Sequence, residues 1–338
     1  MTESKVIDQE KIKEEIKRLK EELNVTIVAH FYQKDEVFYM ADHSGDSLQL
    51  AKIAAEDKNP YLIFCGVAFM GESVKILDPK KRVFMPRVAC CSMAKMIDVE
   101  YYDQNVKILE ESGIKKEDIL PITYINSSAA VKARVGEMGG YVCTSSNAKK
   151  IIEKALESGK KILFVPDRCL GQNVANMMGL KSAVIGEAEE EELREAPIVC
   201  YNGFCSVHQL FEVEDVEFYR NAYPGIKIAV HPECKPEVCA LADFVGSTSQ
   251  LIKYVNSLPK EQKVAVGTEY NLVHRMRKEN TYVLSSTKPE CPTMNETTLQ
   301  DLYNTLLSVK EGTFHNEIHV DENTIKWAKI ALERMFEI

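Results

Sequence analysis

Three observations predict an α/β fold built from three copies of one parallel-sheet unit. Apolar, β-branched runs alternate with segments of helical periodicity, the pattern of strands joined by crossover helices. The same order of elements recurs three times along the 338 residues. Each recurrence ends on a cysteine at a matched spacing. Ser47 and Cys91 stand 44 positions apart, as do Ser247 and Cys291, while Ser145 and Cys205 stand 60 apart.

Taken in order, Ile12, Ile16, Leu19 and Leu23 recur at helical spacing and predict an amphipathic first helix. The first copy opens with the buried strand VTIVAHFYQ (25–33) and a helix start at SGDSLQLAKIAAE (44–56). A strand YLIFCGVAF (61–69), a helix through GESVKIL and the segment RVFMPRVACCSMA (82–94) complete it. The second copy runs ILPITYINSS (119–128), YVCTSSNAKKIIEKAL (141–156), KILFVPDRCLGQNVANMMG (161–179) and PIVCYNGFCSVHQ (197–209). The third runs IKIAVHPEC (226–234), FVGSTSQLIKYV (244–255), KVAVGTEYNLVHRMRK (263–278) and TYVLSSTKPECPTM (281–294). The longer spacing in the second copy is assigned to GEAEEEELREA (186–196), read as a solvated acidic helix or loop with no chemistry. The expected domains are 1–104 (with the N-terminal helix, packed against the C-terminal helices of 295–338), 105–209 and 210–294. Three such units around a pseudo-threefold axis would aim three strand ends at one point, since ligands of open α/β sheets bind outside the carboxyl ends of the strands.

Composition narrows the partners. A net charge of −9 argues against nucleic acid or an anionic membrane surface, both of which require a basic face. The N-terminus has no apolar signal core, and the longest apolar stretch, YLIFCGVAFMG (61–71), is too short to span a bilayer. The expectation is a cytoplasmic protein acting on small molecules. There, ten cysteines are buried, metal-bound or catalytic rather than paired.

Position in the repeat singles out Cys91, Cys205 and Cys291. Cys90 competes with Cys91 for register, but Cys91 and Cys205 both begin Cys-Ser-x-x. Three converging thiolates repel one another unless a cation or cluster neutralises them. Zinc with an open position and a cubane iron–sulfur cluster with one iron lacking a cysteine are the two candidates. HPECKPEVC (231–239) carries His231, Cys234 and Cys239 in a row, but its spacing fits no standard zinc pattern, and Cys239 is read as starting a helix and facing the core.

At the end of each copy's first strand lies a polar pair two residues apart: His30 and Tyr32, Tyr124 and Asn126, His231 and Glu233. In an extended strand such pairs point the same way, toward the cysteine side. The second elements begin GDSLQL, CTSSNA and GSTSQL, helix N-termini with capping residues around Ser47, Ser145, Ser247 and Thr248. Such termini also offer free N–H groups to anions, so three of them suit two carboxylates and a phosphate.

On these residues the chain resembles the quinolinate synthase family. The matching motifs include VAHFYQ, GDSLQLA, GVAFMGESVKIL, CSMA, YINSSAAVKA, CTSSNA, FVPDRCLGQNVA, GFCSVHQ, VHPEC, VGSTSQ, GTEYNLVHRM and MNETTLQDL, covering residues 15 to 338. It departs mildly: the family commonly has Asn where Phe31 stands and Pro where Ser92 and Ser206 stand. The resemblance implies three αβα (three-layer) domains in a triangle around one 4Fe–4S cluster held by Cys91, Cys205 and Cys291. It implies substrate binding by His30, Tyr32, Ser47, Tyr124, Asn126, Ser145, His208, His231, Glu233, Ser247 and Thr248. The implied reaction condenses iminoaspartate with dihydroxyacetone phosphate, releasing phosphate and two waters, with an iron free of cysteine as Lewis acid. Glu233 and Tyr32 are the expected base and acid, with His30 and His231 orienting intermediates and His208 on a substrate carboxylate. An aspartate-oxidising enzyme is the expected transient supplier of iminoaspartate. An aconitase-type dehydratase is the alternative enzyme, and a non-catalytic redox sensor is a further alternative that would not need the polar pairs.

Overall fold

The computed structural model describes residues 2–276 and 279–338, with side chains from residue 9 onward. The chain divides into two compact units. One comprises Met1–Cys91 with Cys291–Ile325, the other Ser92–Glu290 with Lys326–Ile338.

In the first unit, α1 (Thr2–Leu23) leads into β1 (Val25–His30), α2 (Asp35–Phe38), β2 (His43–Gly45) and α3 (Ser47–Glu56). β3 (Tyr61–Cys65), α4 (Ala68–Leu77) and β4 (Arg82–Phe84) follow. All six residues of β1 are buried, as a strand covered on both faces requires. The second unit takes up the chain with α5 (Val99–Glu111), β5 (Ile119–Tyr124), α6 (Ala129–Glu137), β6 (Tyr141–Cys143) and α7 (Ala148–Leu156). Next come β7 (Lys161–Val165), α8 (Arg168–Met177), β8 (Ser182–Val184), α9 (Glu190–Glu195) and β9 (Ile198–Cys200). The third run is α10 (Val213–Ala222), β10 (Lys227–Val230), α11 (Pro236–Leu241), β11 (Phe244–Val245) and α12 (Thr248–Ser257). β12 (Val264–Gly267), α13 (Tyr270–Arg275) and β13 (Thr281–Val283) close it, followed by α14 (Leu299–Glu311) and α15 (Glu322–Arg334).

The result is an α/β protein with three short parallel sheets, ordered β2-β1-β3-β4, β6-β5-β7-β9-β8 and β11-β10-β12-β13. In each, the first strand is flanked by the second and third, so the connections leave it in opposite directions. That reversal opens a crevice at the carboxyl end of the first strand. The expected copies omitted the short helix directly after the first strand in the first two copies (α2 and α6), while the helix expected at Cys239 in the third is α11. The excess in the second copy is an added edge strand as well as a helix: β8 pairs with β9, and α9 follows with Leu193 buried.

The first unit's core joins Ile16 and Leu19 of α1 to Leu299, Leu302, Leu306 and Val309 of α14 over Ile27 and Ile63. Each fully buried Leu or Ile contributes about 1.5–3 kcal/mol, so this helix pair anchors the sheet it covers. From Lys326 the chain packs within the second unit. Arg334 donates to the carbonyl of Gly139, and the backbone of Trp327 lies where a side chain at Gly136 would be. Caps set the helix starts. The Asp46 carboxylate accepts from Gln49 N at 3.0 Å and Asp98 from Tyr101 N at 2.8 Å, while the Thr298 hydroxyl accepts from Asp301 N at 3.2 Å.

Candidate active site

Each first strand ends in the same turn. Gln33 N donates to His30 O (3.0 Å), Ser127 N to Tyr124 O (3.1 Å) and Cys234 N to His231 O (3.0 Å). The second member of each polar pair therefore lies in a turn rather than in the extended strand expected for it. Turning frees that residue's N–H, and the histidines capture it: Tyr32 N donates to His30 Nδ1 at 3.1 Å and Glu233 N to His231 Nδ1 at 3.3 Å. With Nδ1 accepting, the neutral ring carries its proton on Nε2. In the first unit, His30 is buried and its ring meets Tyr32 edge-on, with centroids 4.6 Å apart.

The second unit brings Tyr124, His208, His231 and Glu233 together, all buried. The Tyr124 hydroxyl donates to Glu233 Oε1 at 2.5 Å, and His208 Nδ1 lies 3.0 Å from Oε2. His231 Nδ1 stands 3.9 Å from Oε1, and the two imidazoles stack with centroids 4.6 Å apart. The far nitrogen of His208, Nε2, is 3.2 Å from the hydroxyl of Thr268. Burial pushes the Glu233 carboxyl up, but the charges of His208 and His231, then the bonds from His208 and Tyr124, outweigh it and bring it down to about 2. A carboxylate so acidic is a weak base alone; the unit that can hold and move a proton is the Glu233–His208 pair. Asp167 behaves oppositely. Burial first, and the negative charge of Glu233 second, hold its carboxyl well above the usual range. One oxygen caps α8 through Leu170 N (2.9 Å), and Oδ2 has no hydrogen-bond partner.

The cysteine loops repeat in register. After Cys91, Cys205 and Cys291 come two turn residues and then three residues of 3-10 helix (Ala94–Met96, His208–Leu210, Met294–Glu296). The caps Asp98, Glu212 and Thr298 follow at the same offset. Cys91, not Cys90, holds the position of Cys205 and Cys291. Each loop is pinned two residues before its cysteine: Ala68 N donates to Ala89 O (2.8 Å), Arg168 N to Gly203 O (2.9 Å) and Tyr270 N to Pro289 O (2.9 Å). Only the loop cysteines Cys90, Cys91, Cys205 and Cys291 are half-buried; the other six are buried. Burial pushes the thiols of Cys169 and Cys239 up to about 11 and about 12, and raises those of Cys65, Cys143, Cys200 and Cys234 as well. Thiolate ligands are therefore to be sought in the loops. Among the described residues, Cys205, His208 and Glu233 form a group whose ligand atoms lie within 4.8 Å of one another. Cys234 and Cys239 instead direct their thiols at carbonyls of the chain, and Cys239 lies within α11.

The helix termini differ in detail. Ser47 is the first residue of α3, capped by Asp46, whose negative charge offsets the terminus. Ser145 precedes the cap of α7, Asn147, which accepts from Thr144 N at 2.7 Å. Ser247 is itself the cap of α12, with Thr248 next, both buried. Neutral caps leave α7 and α12 the better anion acceptors. Asn126 lies half-buried in the second turn. Thr268 and Asp167 were missed in the sequence. The signal was their place just after the third strands of the third and second copies, Thr268 directly before a helix cap and Asp167 at one.

Three parallel sheets, each with its polar switch-point turn and its cysteine loop, define an α/β repeat protein whose polar groups gather at the strand ends. Comparison with known proteins narrows this class. A model of the quinolinate synthetase A protein family matches residues 14–337, and the chain belongs to that family. A protein of Helicobacter pylori (strain HPAG1) named quinolinate synthase is 54% identical over 331 residues, 97% of this chain and 98% of that protein. Proteins of the same name from Acidobacterium capsulatum and Streptomyces coelicolor are each 42% identical. Both alignments cover 93% of this chain, with 89% and 84% of the respective relatives. Among the described residues, no helix is long and apolar enough to cross a membrane.

Proposed function

We propose that this chain is a quinolinate synthase of NAD biosynthesis, condensing iminoaspartate with dihydroxyacetone phosphate and releasing phosphate and two waters. The observation that carries the reading is the buried Tyr124–Glu233–His208 chain, which has Cys205 within ligand distance of its last two members. Cys91, Cys205 and Cys291 are the residues that would hold a 4Fe–4S cluster; three equivalent, half-buried thiols fit such a group, whereas the buried ones do not. When bound, the cluster supplies a Lewis-acidic iron free of cysteine.

The chain's own residues account for the rest. His208, with Nδ1 on Glu233, presents its ring for a substrate carboxylate. Tyr124 and Tyr32 supply phenolic protons, and His30 and His231 offer Nε2–H to intermediates. Asn126, Ser145, Ser247 and Thr248 supply amide and hydroxyl groups beside the caps of α7 and α12, where phosphate and carboxylate are favoured. Ser47 does the same at α3. The three-repeat division, with boundaries near residues 104, 209 and 294, belongs to this reading, as do a cytoplasmic location and an aspartate-oxidising supplier. The test is anaerobically purified protein given iminoaspartate and the triose phosphate: quinolinate and phosphate should form in equal amounts. Failure to form quinolinate in a protein carrying iron and sulfide would overturn the reading.

A further inference from the structure

In two of the polar turns, the carbonyl that closes the turn is claimed by a buried side chain. In the second copy Lys132 of α6, fully buried, donates from Nζ to Ser127 O. Ser127 stands three residues after Tyr124, and Lys132 eight. The same offsets from His231 give Cys234 and Cys239 in the third copy. There the Cys239 thiol faces Cys234 O at 3.6 Å, a weak donor where the second copy has an ammonium. The strong donor comes from another copy. Asn173 of α8, only 3% exposed, donates from Nδ2 to Pro232 O and to Cys234 O, each at 2.8 Å.

We propose that Asn173 is a positioning residue for Glu233, an inference that rests on the proposed quinolinate synthase reading for its kinetic consequence but not for its geometry. Pro232 and Cys234 are the neighbours of Glu233 on either side, so one amide group grips the backbone before and after it. The task suits an amide, whose two hydrogens reach two acceptors, and carbonyl oxygens fix which way it faces because they only accept. The turn has little else to hold it. Pro232 has no N–H, Glu233 N is committed to His231 Nδ1 at 3.3 Å, and Cys234 N reaches His231 O at 3.0 Å. The carboxylate it carries must meet Tyr124 at 2.5 Å and His208 at 3.0 Å, distances that leave little room for drift.

The test is Asn173→Ala, made in the parent and in Glu233→Gln, with hydrogen exchange followed by mass spectrometry on the anaerobically purified proteins. Positioning predicts that the amides of Glu233 and Cys234 exchange about tenfold faster. The matched turn at 124–127, which Lys132 holds, should keep its rate. In the parent, kcat should fall about ten- to a hundredfold with KM within about threefold. In Glu233→Gln the further loss should stay below about threefold, because the group being positioned is gone. A role in folding alone predicts faster exchange in both turns and the same fold-loss in both backgrounds. Either result would overturn the proposal, as would unchanged exchange at Glu233 and Cys234. Faster exchange confined to their turn, with a parent that makes no quinolinate, would sustain the positioning and sink the functional reading. If the Ala variant does not fold, Asn173→Ser takes its place under the same criteria.

Discussion

Replacing Glu233 by Gln removes a charge from the centre of the buried cluster while preserving its shape. The carboxylate accepts from Tyr124 at 2.5 Å and faces His208 Nδ1 at 3.0 Å. The amide has one acceptor oxygen, so its NH₂ must turn toward one of these two donors. At least one charge-assisted bond is lost, about 1.5–3 kcal/mol, and the imidazoles lose the anion beside them. Breaking a buried pair by removing one member costs about 3–5 kcal/mol in all. At about 1.4 kcal/mol per decade, a loss of about 3–4 kcal/mol from the transition state lowers kcat about 10²- to 10³-fold. The assay is anaerobic quinolinate formation, with iron and sulfide content as a control that should not change. Stability supplies a second readout. Because the folded carboxyl is depressed to about 2, its contribution is present above the unfolded value of about 4.3. It is lost as the pH falls through about 2. Glu233→Gln should therefore melt below the parent at pH 6, with the gap closing toward pH 2. A variant with kcat within about threefold of the parent would refute the role, since that corresponds to well under 1 kcal/mol.

Asp167→Asn should act in the opposite direction. A carboxyl raised by burial destabilises the fold above its unfolded value of about 3.9. Asn, itself a good cap, should raise the melting temperature at pH 8, with the advantage fading toward pH 4; a lowered value at pH 8 would contradict this. Among Cys→Ala variants at positions 90, 91, 205, 234 and 291, those at 91, 205 and 291 should lose iron and sulfide. Those at 90 and 234 should keep both, and a loss at 90 with retention at 91 would reverse the register. Gly136→Ala places a methyl 2.0 Å from the Trp327 carbonyl, a backbone atom that cannot swing aside. Overpacking of this kind costs about 1–3 kcal/mol and should be visible as a fall of several degrees in a thermal melt.

The alternation of strands and helices was legible because β1, β5 and β10 are near-continuous apolar runs, and because spacing repeats where loops carry ligands. Of the helices after the first strands, only α11 was legible, through Cys239. α2 has four residues, too short to show helical periodicity. β8 was hidden because a three-residue edge strand carries almost no pattern, and the acidic run beside it drew the reading toward α9. The polar pairs were correctly located but given the wrong backbone. A two-residue spacing looks the same in a strand and in a turn, and only the bonds from Gln33, Ser127 and Cys234 back to the strand ends separate them. Thr268 and Asp167 stayed out of view for a different reason. Hydroxyls and carboxylates next to a helix start read as caps, and Asp167 is one; nothing local reveals that Thr268 faces a histidine 60 residues away.

What distinguishes the copies is then more informative than what they share. The pinned loops, the turns after the first strands and the strand orders recur, so they belong to the scaffold. Polar substitutions at matched positions do not recur evenly. The caps of α4, α8 and α13 are Val67, Asp167 and Glu269, and the last turn-pair residues are Tyr32, Asn126 and Glu233. In the second unit, the deviations from the common pattern make one connected set. Tyr124, Glu233, His208 and Thr268 are linked in sequence by hydrogen bonds, and Asp167 responds to the charge of Glu233. Burying two carboxylates and two imidazoles costs free energy that a merely structural core would avoid by using apolar side chains. At the positions of Asp167, His208 and Thr268 the other copies include Val, Ala, Met and Gly, so there the fold has an apolar solution at hand and the polar groups are free to serve chemistry.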